Sequence, residues 1–196
     1  MFDTLGAADR VDVLNSVSFA LQVNGRKHIV HRLDGRTVAM DPKELLSLAR
    51  ELAMDIDMDG VDYIVAFPEG GVLPAFAFAQ IVDRPLLLPT RLHLMLSPVI
   101  SFEEPHTRLG TTHYLHGLRA AHRVVIIDDE VTTGQTIINA VRALRAAGVH
   151  VNDVGVLLAM DTPALWQAMA DAGISLHVVI RVPPTHGERA GKPDAP

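Results

Sequence analysis

Short aliphatic runs alternate along this chain with stretches whose apolar residues recur at helical spacing. The runs predict strands and the spaced stretches predict helices. "HIVHRL" and "RTVAM" flank an Asp-Gly pair, which predicts a hairpin around a tight turn. "DPKELLSLARELAMDI" places Leu45, Leu48, Ala49 and Leu52 on one face, with Asp41 as the cap and Pro42 first in the helix. "DYIVAF" reads as a strand, "PEGG" as a break and "VLPAFAFAQIV" as a helix, with Phe76 and Phe78 in the core. "RPLLLP" and "LHLMLSPVIS" predict further strands. Between Phe102 and Leu118 the pattern lapses into a polar, His-rich segment, expected to be a long functional or mobile loop. "RVVIID" is a strand, "GQTIINAVRALRAAG" a helix ended by Gly148, and "VNDVGVLLAM" a strand. "TPALWQAMADAG" is a helix capped by Thr162 with Trp166 in the core, and "SLHVVIRV" is the last strand.

From about residue 40 onward strands and helices alternate, and the strands lack polar interruptions. The expected fold is α/β: a doubly wound, mostly parallel sheet with helices on both faces. A single domain over 1–196 is expected, with a core over about 40–182, an N-terminal hairpin or hood over about 15–40, and a flexible tail over 183–196. Ligands of such sheets collect at the carboxyl ends of the strands. "PEGG" and "DDEVTTG" both sit at such ends.

Composition narrows the functional classes. With 196 residues and 48% hydrophobic content, the chain can bury a real core. A formal net charge of −6 argues against a nucleic-acid-binding role. The absence of cysteine excludes disulfides, thiolate metal sites and a cysteine nucleophile, and fits a reducing compartment. The N-terminus carries early acids instead of a basic and apolar leader, and no apolar run reaches the ~18–20 residues that span a bilayer. The expected location is cytoplasmic, away from membranes.

The segment "VVIIDDEVTTGQT" concentrates the chemistry. Thr132, Thr133, Gly134, Gln135 and Thr136 open a helix whose first amides lack partners and face an anion favourably. No lysine follows the glycine, so this is not a Walker loop, and a terminal monophosphate among neutral donors fits better. Asp128 and Asp129 would repel that phosphate unless they met another part of the ligand, and the vicinal hydroxyls of a sugar are suitable partners. The segment asks for a sugar phosphate.

It also resembles the thirteen-residue signature of the type I phosphoribosyltransferases, which bind phosphoribosyl pyrophosphate (PRPP). Four aliphatics, two acids, two variable residues and T-T-G-x-T match in order. The likeness covers roughly residues 60–160 and is nearer to adenine-type than to orotate-type members, whose loop lysine is missing here: none lies between Lys43 and Lys192. The resemblance implies that Val131, Thr132, Thr133, Gly134, Gln135 and Thr136 hold the 5-phosphate. It assigns Glu69, Gly70 and Gly71 to a pyrophosphate loop, often with a cis peptide, and Arg91 to the same group, although the lysine usually beside that arginine is absent. Asp129, Asp128, Arg108 and Glu103 become the catalytic candidates, and His106, Thr111 and His113 belong to a loop that closes over PRPP.

The implied reaction is displacement of pyrophosphate by a nitrogen of a purine-like or related heterocyclic base, as in purine salvage. Mg²⁺ would be held mainly through PRPP, with Asp128 and Asp129 the protein ligands open to it. A hood from the N- and C-terminal segments would hold the base, and a homodimer is the family's usual assembly. A PRPP-sensing protein without turnover is the alternative. Glu130 replaces a commoner hydrophobic residue and is expected to face solvent or the sheet edge without a role. His106, His113 and His116 match no standard zinc spacing.

Overall fold

Continuous aliphatic strands need cover on both faces, and the structure, a computed structural model describing residues 7–21, 27–105 and 111–185, provides it. The chain runs α1 (Ala7–Ser16), β1 (Ser18–Leu21), β2 (Lys27–Val30), α2 (Pro42–Asp55), β3 (Tyr63–Ala66), α3 (Val72–Val82), β4 (Leu86–Leu87) and β5 (Val99–Glu104). It continues through β6 (Thr111–His116), β7 (Arg123–Val131), α4 (Gln135–Ala146), β8 (His150–Met160), α5 (Pro163–Asp171) and β9 (Leu176–Val182). The central sheet has the order β4-β3-β7-β8-β9 and is parallel throughout. Chain direction across the sheet reverses between β3 and β7, which makes their carboxyl ends the expected ligand crevice.

Alternate residues of β7 serve opposite cores. Val125 and Ile127 pack with Leu48, Leu52 and Phe78 of α2 and α3, together with Val13 and Ile29 from the N-terminal elements. Val124 and Ile126 pack with Ile137, Val141 and Leu144 of α4 and Leu165 and Met169 of α5. Asp41 caps α2 by accepting from the Lys43 amide at 2.9 Å, and Thr162 caps α5 by accepting from the Leu165 amide at 3.3 Å. Both caps were legible because each precedes a proline at the first helical position. Among the described residues no helix is long and apolar enough to cross a membrane.

Several expectations need correction. The N-terminal hairpin is not centred on Asp34-Gly35: β1 pairs with β2, from Ser18↔Val30 to Leu21↔Lys27, and their connection lies outside the described residues. "RTVAM" forms no strand, because it has no sheet edge to pair with and Val38 is exposed. Helix α1 went unread. Leu92, Leu94, Met95 and Leu96 are not in a strand but on the surface, Met95 at 84% exposure. Phe76 is exposed while Phe78 is buried, and Trp166 is only partly buried, donating to Asp161 at 2.7 Å beneath the Arg181 guanidinium.

The largest correction concerns the presumed loop after Phe102. Its flanks form an antiparallel pair, β5 with β6, registered from Val99↔His116 to Glu104↔Thr111, while residues 106–110 lie outside the described residues. Ile100 and Phe102 on one strand and His113 and Leu115 on the other are buried. The alternation was present but disguised by a histidine at an inward position.

Leu48 is completely buried between α2 and the sheet. Leu48→Ala is expected to cost about 2–5 kcal/mol of unfolding free energy in urea titrations, and a loss below about 1 kcal/mol would contradict this packing.

Candidate active site

Because β3 and β7 pair in register from Tyr63↔Val124 to Ala66↔Ile127, the segments that follow them emerge side by side. The Phe67–Gly71 turn leads into α3, and Thr132–Gly134 leads into α4. Between them lies a cavity of about 640 Å³. Glu69, Gly70, Asp128, Asp129 and the whole Val131–Thr136 stretch line it, as the sequence suggested.

Gly134 has φ 73°, a left-handed conformation suited to glycine, and serves as the N-cap of α4. Gly134 has no side chain to cap this helix, and Thr133 Oγ1 accepts the Gln135 amide only at 3.5 Å, so the first turn opens on the cavity with Thr132, Thr133 and Thr136 around it. Val131 contributes backbone alone to this cradle, its side chain being buried in the core beneath α4 and α5.

The peptide bond Pro68–Glu69 is cis. The two glycines that follow answer to the acid pair. A Cβ on Gly70 would sit 1.9 Å from Asp129 Oδ2, and one on Gly71 would sit 2.3 Å from Asp128 Oδ1 and 2.9 Å from the Phe67 carbonyl oxygen. Any larger residue would collide with a carboxylate. The turn therefore lies directly against both acids.

Asp129 is buried, 4% exposed, with Oδ2 at 3.2 Å from His31 Nε2 and 3.5 Å from Arg36 Nη2. Asp128 is the more open of the pair, and its Oδ1 accepts the Asp129 amide at 3.0 Å. Burial pushes the Asp128 carboxyl well above the usual carboxylate range, and the neighbouring Asp129 charge adds to this. For Asp129 burial works in the same upward direction, but His31, with Nε2 3.2 Å away, together with Asp128 and Arg36 holds it below its ordinary value. The pair thus shares its charge unequally, Asp128 retaining a proton more readily than Asp129.

The β5–β6 hairpin forms one wall. Thr90 and Tyr114 exchange backbone hydrogen bonds at 2.9 and 2.8 Å, which brings Arg91 to this wall, and the Asn139 amide ties the hairpin to α4 through the Glu103 carbonyl at 2.8 Å. Glu103 itself faces away from the cavity and accepts from Thr112 Oγ1 at 2.6 Å, so it is not the acid of this wall. Glu104 is: its Oε2 lies 2.8 Å from His113 Nε2 and 4.0 Å from Arg91 Nη2. His113 is buried and stacked on Phe102 at 5.3 Å. Thr111 pairs with Glu104 on the hairpin but does not line the cavity, and His116 turns to the Leu96 carbonyl. Arg108 and His106 lie outside the described residues.

Four site residues were missed: His31, Asp34, Arg36 and Glu104. Glu104 had a signal, since strand alternation puts it on the face of Phe102, opposite Glu103. The other three carry no local signature. Glu130 was also misplaced: it is largely buried, with Oε2 4.0 Å from His31 Nε2, because β7 stays paired with β8 as far as Val131↔Ala159 beneath the N-terminal segment.

Gly70→Ala is expected to drive Asp129 away from His31, lowering stability by about 1–3 kcal/mol. Urea unfolding checks the stability, and calorimetric titration with PRPP checks that binding is lost with it. A variant of unchanged affinity would separate the glycine from the acid pair.

Comparison with known proteins agrees with this geometry. The chain matches the family described as phosphoribosyl transferase over residues 17–183. It is 24% identical over 159 residues to a hypoxanthine/guanine phosphoribosyltransferase of Methanopyrus kandleri, covering 81% of this chain and 84% of that protein. It is 29% identical over 179 residues to an orotate phosphoribosyltransferase of a Nocardioides species, covering 91% of each. The fold is similar to that of adenine phosphoribosyltransferase from Rhodothermus marinus, with a TM-score of 0.71 at 15% identity over 90% of this chain and 100% of the other. With the match running from β1 to the end of β9 and including both loops of the cavity, the chain belongs to the phosphoribosyl transferase family.

Proposed function

We propose that this protein transfers the 5-phosphoribosyl group of PRPP to a nitrogen of a purine-like or related heterocyclic base, releasing pyrophosphate. The observation that carries this reading is the abutting of an acid pair, a glycine turn and an uncapped helix N-terminus at the ends of adjacent parallel strands. The amides and hydroxyls of Thr132–Thr136 receive the 5-phosphate. The Glu69–Gly71 turn and Arg91 receive the pyrophosphate. The carboxylates take the ribose hydroxyls and favour the positive charge that develops on the sugar.

In the reaction the bond from the anomeric carbon to the pyrophosphate oxygen breaks, its electrons leave with pyrophosphate, and the base nitrogen forms the new bond to that carbon. The protein contributes position and electrostatics, with no covalent intermediate of its own. The hairpin wall of Glu104 and His113 limits access of water. The oxygen-rich donor set, open at Asp128, fits Mg²⁺ held largely by ligand oxygens and water. Bound there, Mg²⁺ would supply charge that neutralises the departing pyrophosphate.

We also read the protein as a cytoplasmic homodimer. The exposed apolar residues Leu92, Leu94, Met95 and Leu96 support a surface covered by a second copy.

Pyrophosphate release measured with PRPP, Mg²⁺ and a panel of purine and pyrimidine bases tests the activity, and PRPP binding with no turnover on any base would point to a sensor instead. Asp128→Asn is expected to lower kcat/KM on the active base by roughly a hundredfold. Met95→Asp is expected to shift sedimentation velocity from dimer to monomer, and an unchanged boundary would remove this surface from the assembly.

A further inference from the structure

The segment from His31 to Arg36 belongs to neither loop of the cavity, yet it closes on the acid pair from 93 residues away. His31 is fully buried, and its Nδ1 accepts the Leu33 amide at 3.1 Å. With that nitrogen occupied as an acceptor, the neutral ring carries its proton on Nε2. Nε2 lies 3.2 Å from Asp129 Oδ2 and 4.0 Å from Glu130 Oε2, a close polar contact in which the ring nitrogen completes no hydrogen bond. Arg36 donates through Nε to Asp34, which also accepts the Arg36 amide at 2.8 Å, and places Nη2 3.5 Å from the same Asp129 oxygen.

We propose that His31 is a positioning residue that fixes Asp129 as a stationary anion with Arg36 as its second clamp, leaving Asp128 as the carboxylate that meets the ligand. The inference rests on the PRPP reading and divides the work of the acid pair. Asp129 is nearly inaccessible, lies against Gly70, accepts from Arg36 Nη2 at 3.5 Å and has His31 Nε2 at 3.2 Å from the same oxygen. Asp128 is more open and is joined to Asp129 through the backbone amide. A shift of Asp129 therefore moves Asp128. Replacing His31 by an apolar side chain would take the nearest polar neighbour from a buried carboxylate, a loss it could relieve only by moving or taking up a proton.

A metal site is the competing reading of the same residues, since His31, Asp34 and Asp129 offer ligand atoms within 4.8 Å of one another. Two features oppose it. The ring nitrogen facing the carboxylate must shed its proton to bind a cation, which would oblige Nδ1 to hold one against the Leu33 amide. The Arg36 guanidinium already bridges the two carboxylates.

The test compares wild type with His31→Leu, His31→Gln, Asp129→Asn, Arg36→Met and the double variant His31→Leu/Asp129→Asn. Each is followed by melting midpoint, PRPP calorimetry and steady-state pyrophosphate release on the best base. His31→Leu should lower kcat roughly tenfold or more. Its KM for PRPP should stay within about threefold of wild type, the signature of a lost transition-state interaction. His31→Gln, which can still present an N–H toward Asp129, should restore most of the rate. The double variant should be no slower than Asp129→Asn alone. Arg36→Met should show a smaller loss that is likewise absent on the Asp129→Asn background, which keeps the proposal testable if His31→Leu does not fold.

Unchanged kcat in His31→Leu, equal losses in the Leu and Gln variants, or additive losses in the double variant would each overturn the assignment. Stoichiometric Mn²⁺ or Zn²⁺ binding that His31→Leu abolishes would replace it with the metal site. A wild type that neither binds PRPP nor releases pyrophosphate sinks the underlying function, whereas an active wild type with an equally active His31→Leu variant sinks this inference alone.

Discussion

Two adjacent carboxylates cannot both be buried and charged at a strand end unless something compensates them. In this protein the compensation comes from outside the strand. His31 and Arg36 approach Asp129, while Asp128 accepts the Asp129 amide and carries the higher proton affinity. The glycines at 70 and 71 are dictated by the same pair, because only a missing Cβ lets the neighbouring turn lie against the carboxylates. Turn, strand end and N-terminal segment thus form one electrostatic unit around Asp128 and Asp129.

The parallel sheet makes that unit geometrically possible. Pairing β3 with β7 brings two loops of different chemistry together at the switch point of the sheet, one lying on the acids and the other opening a helix toward the cavity. The β5–β6 hairpin stands outside this sheet and supplies a separate wall, held through Thr90, Tyr114 and Asn139. A ligand with a terminal phosphate, a ring carrying hydroxyls and a second anionic group would meet a complementary surface at each point. Membership of the phosphoribosyl transferase family is in keeping with such a surface.

What was legible in the chain follows from the range of each interaction. The aliphatic strands, the capped helices at Asp41 and Thr162, and the helix opening after Gly134 are each encoded within one short segment, and the structure has each of them. Readings failed where orientation or partnership decided the outcome. Glu103 and Glu104 are adjacent and chemically alike, and only the register of the hairpin turns Glu104 into the cavity and Glu103 away. Leu92, Leu94 and Leu96 alternate as a strand would, yet the segment pairs with no strand and stays on the surface. Glu130 looked like a solvent-facing substitution and instead lies beside His31.

By itself, then, the sequence determined the alternation of elements, the glycine that opens α4 and the position of the acid pair at the end of β7, because these depend on backbone conformations and periodicities spanning a few residues. Tertiary structure alone decided which acid ionises the more readily, why two glycines stand beside it, and which histidine and arginine hold it. Those outcomes depend on groups far apart in the chain that become neighbours only after the sheet has formed, and a contact between residues 36 and 129 leaves no trace in the local pattern of either segment.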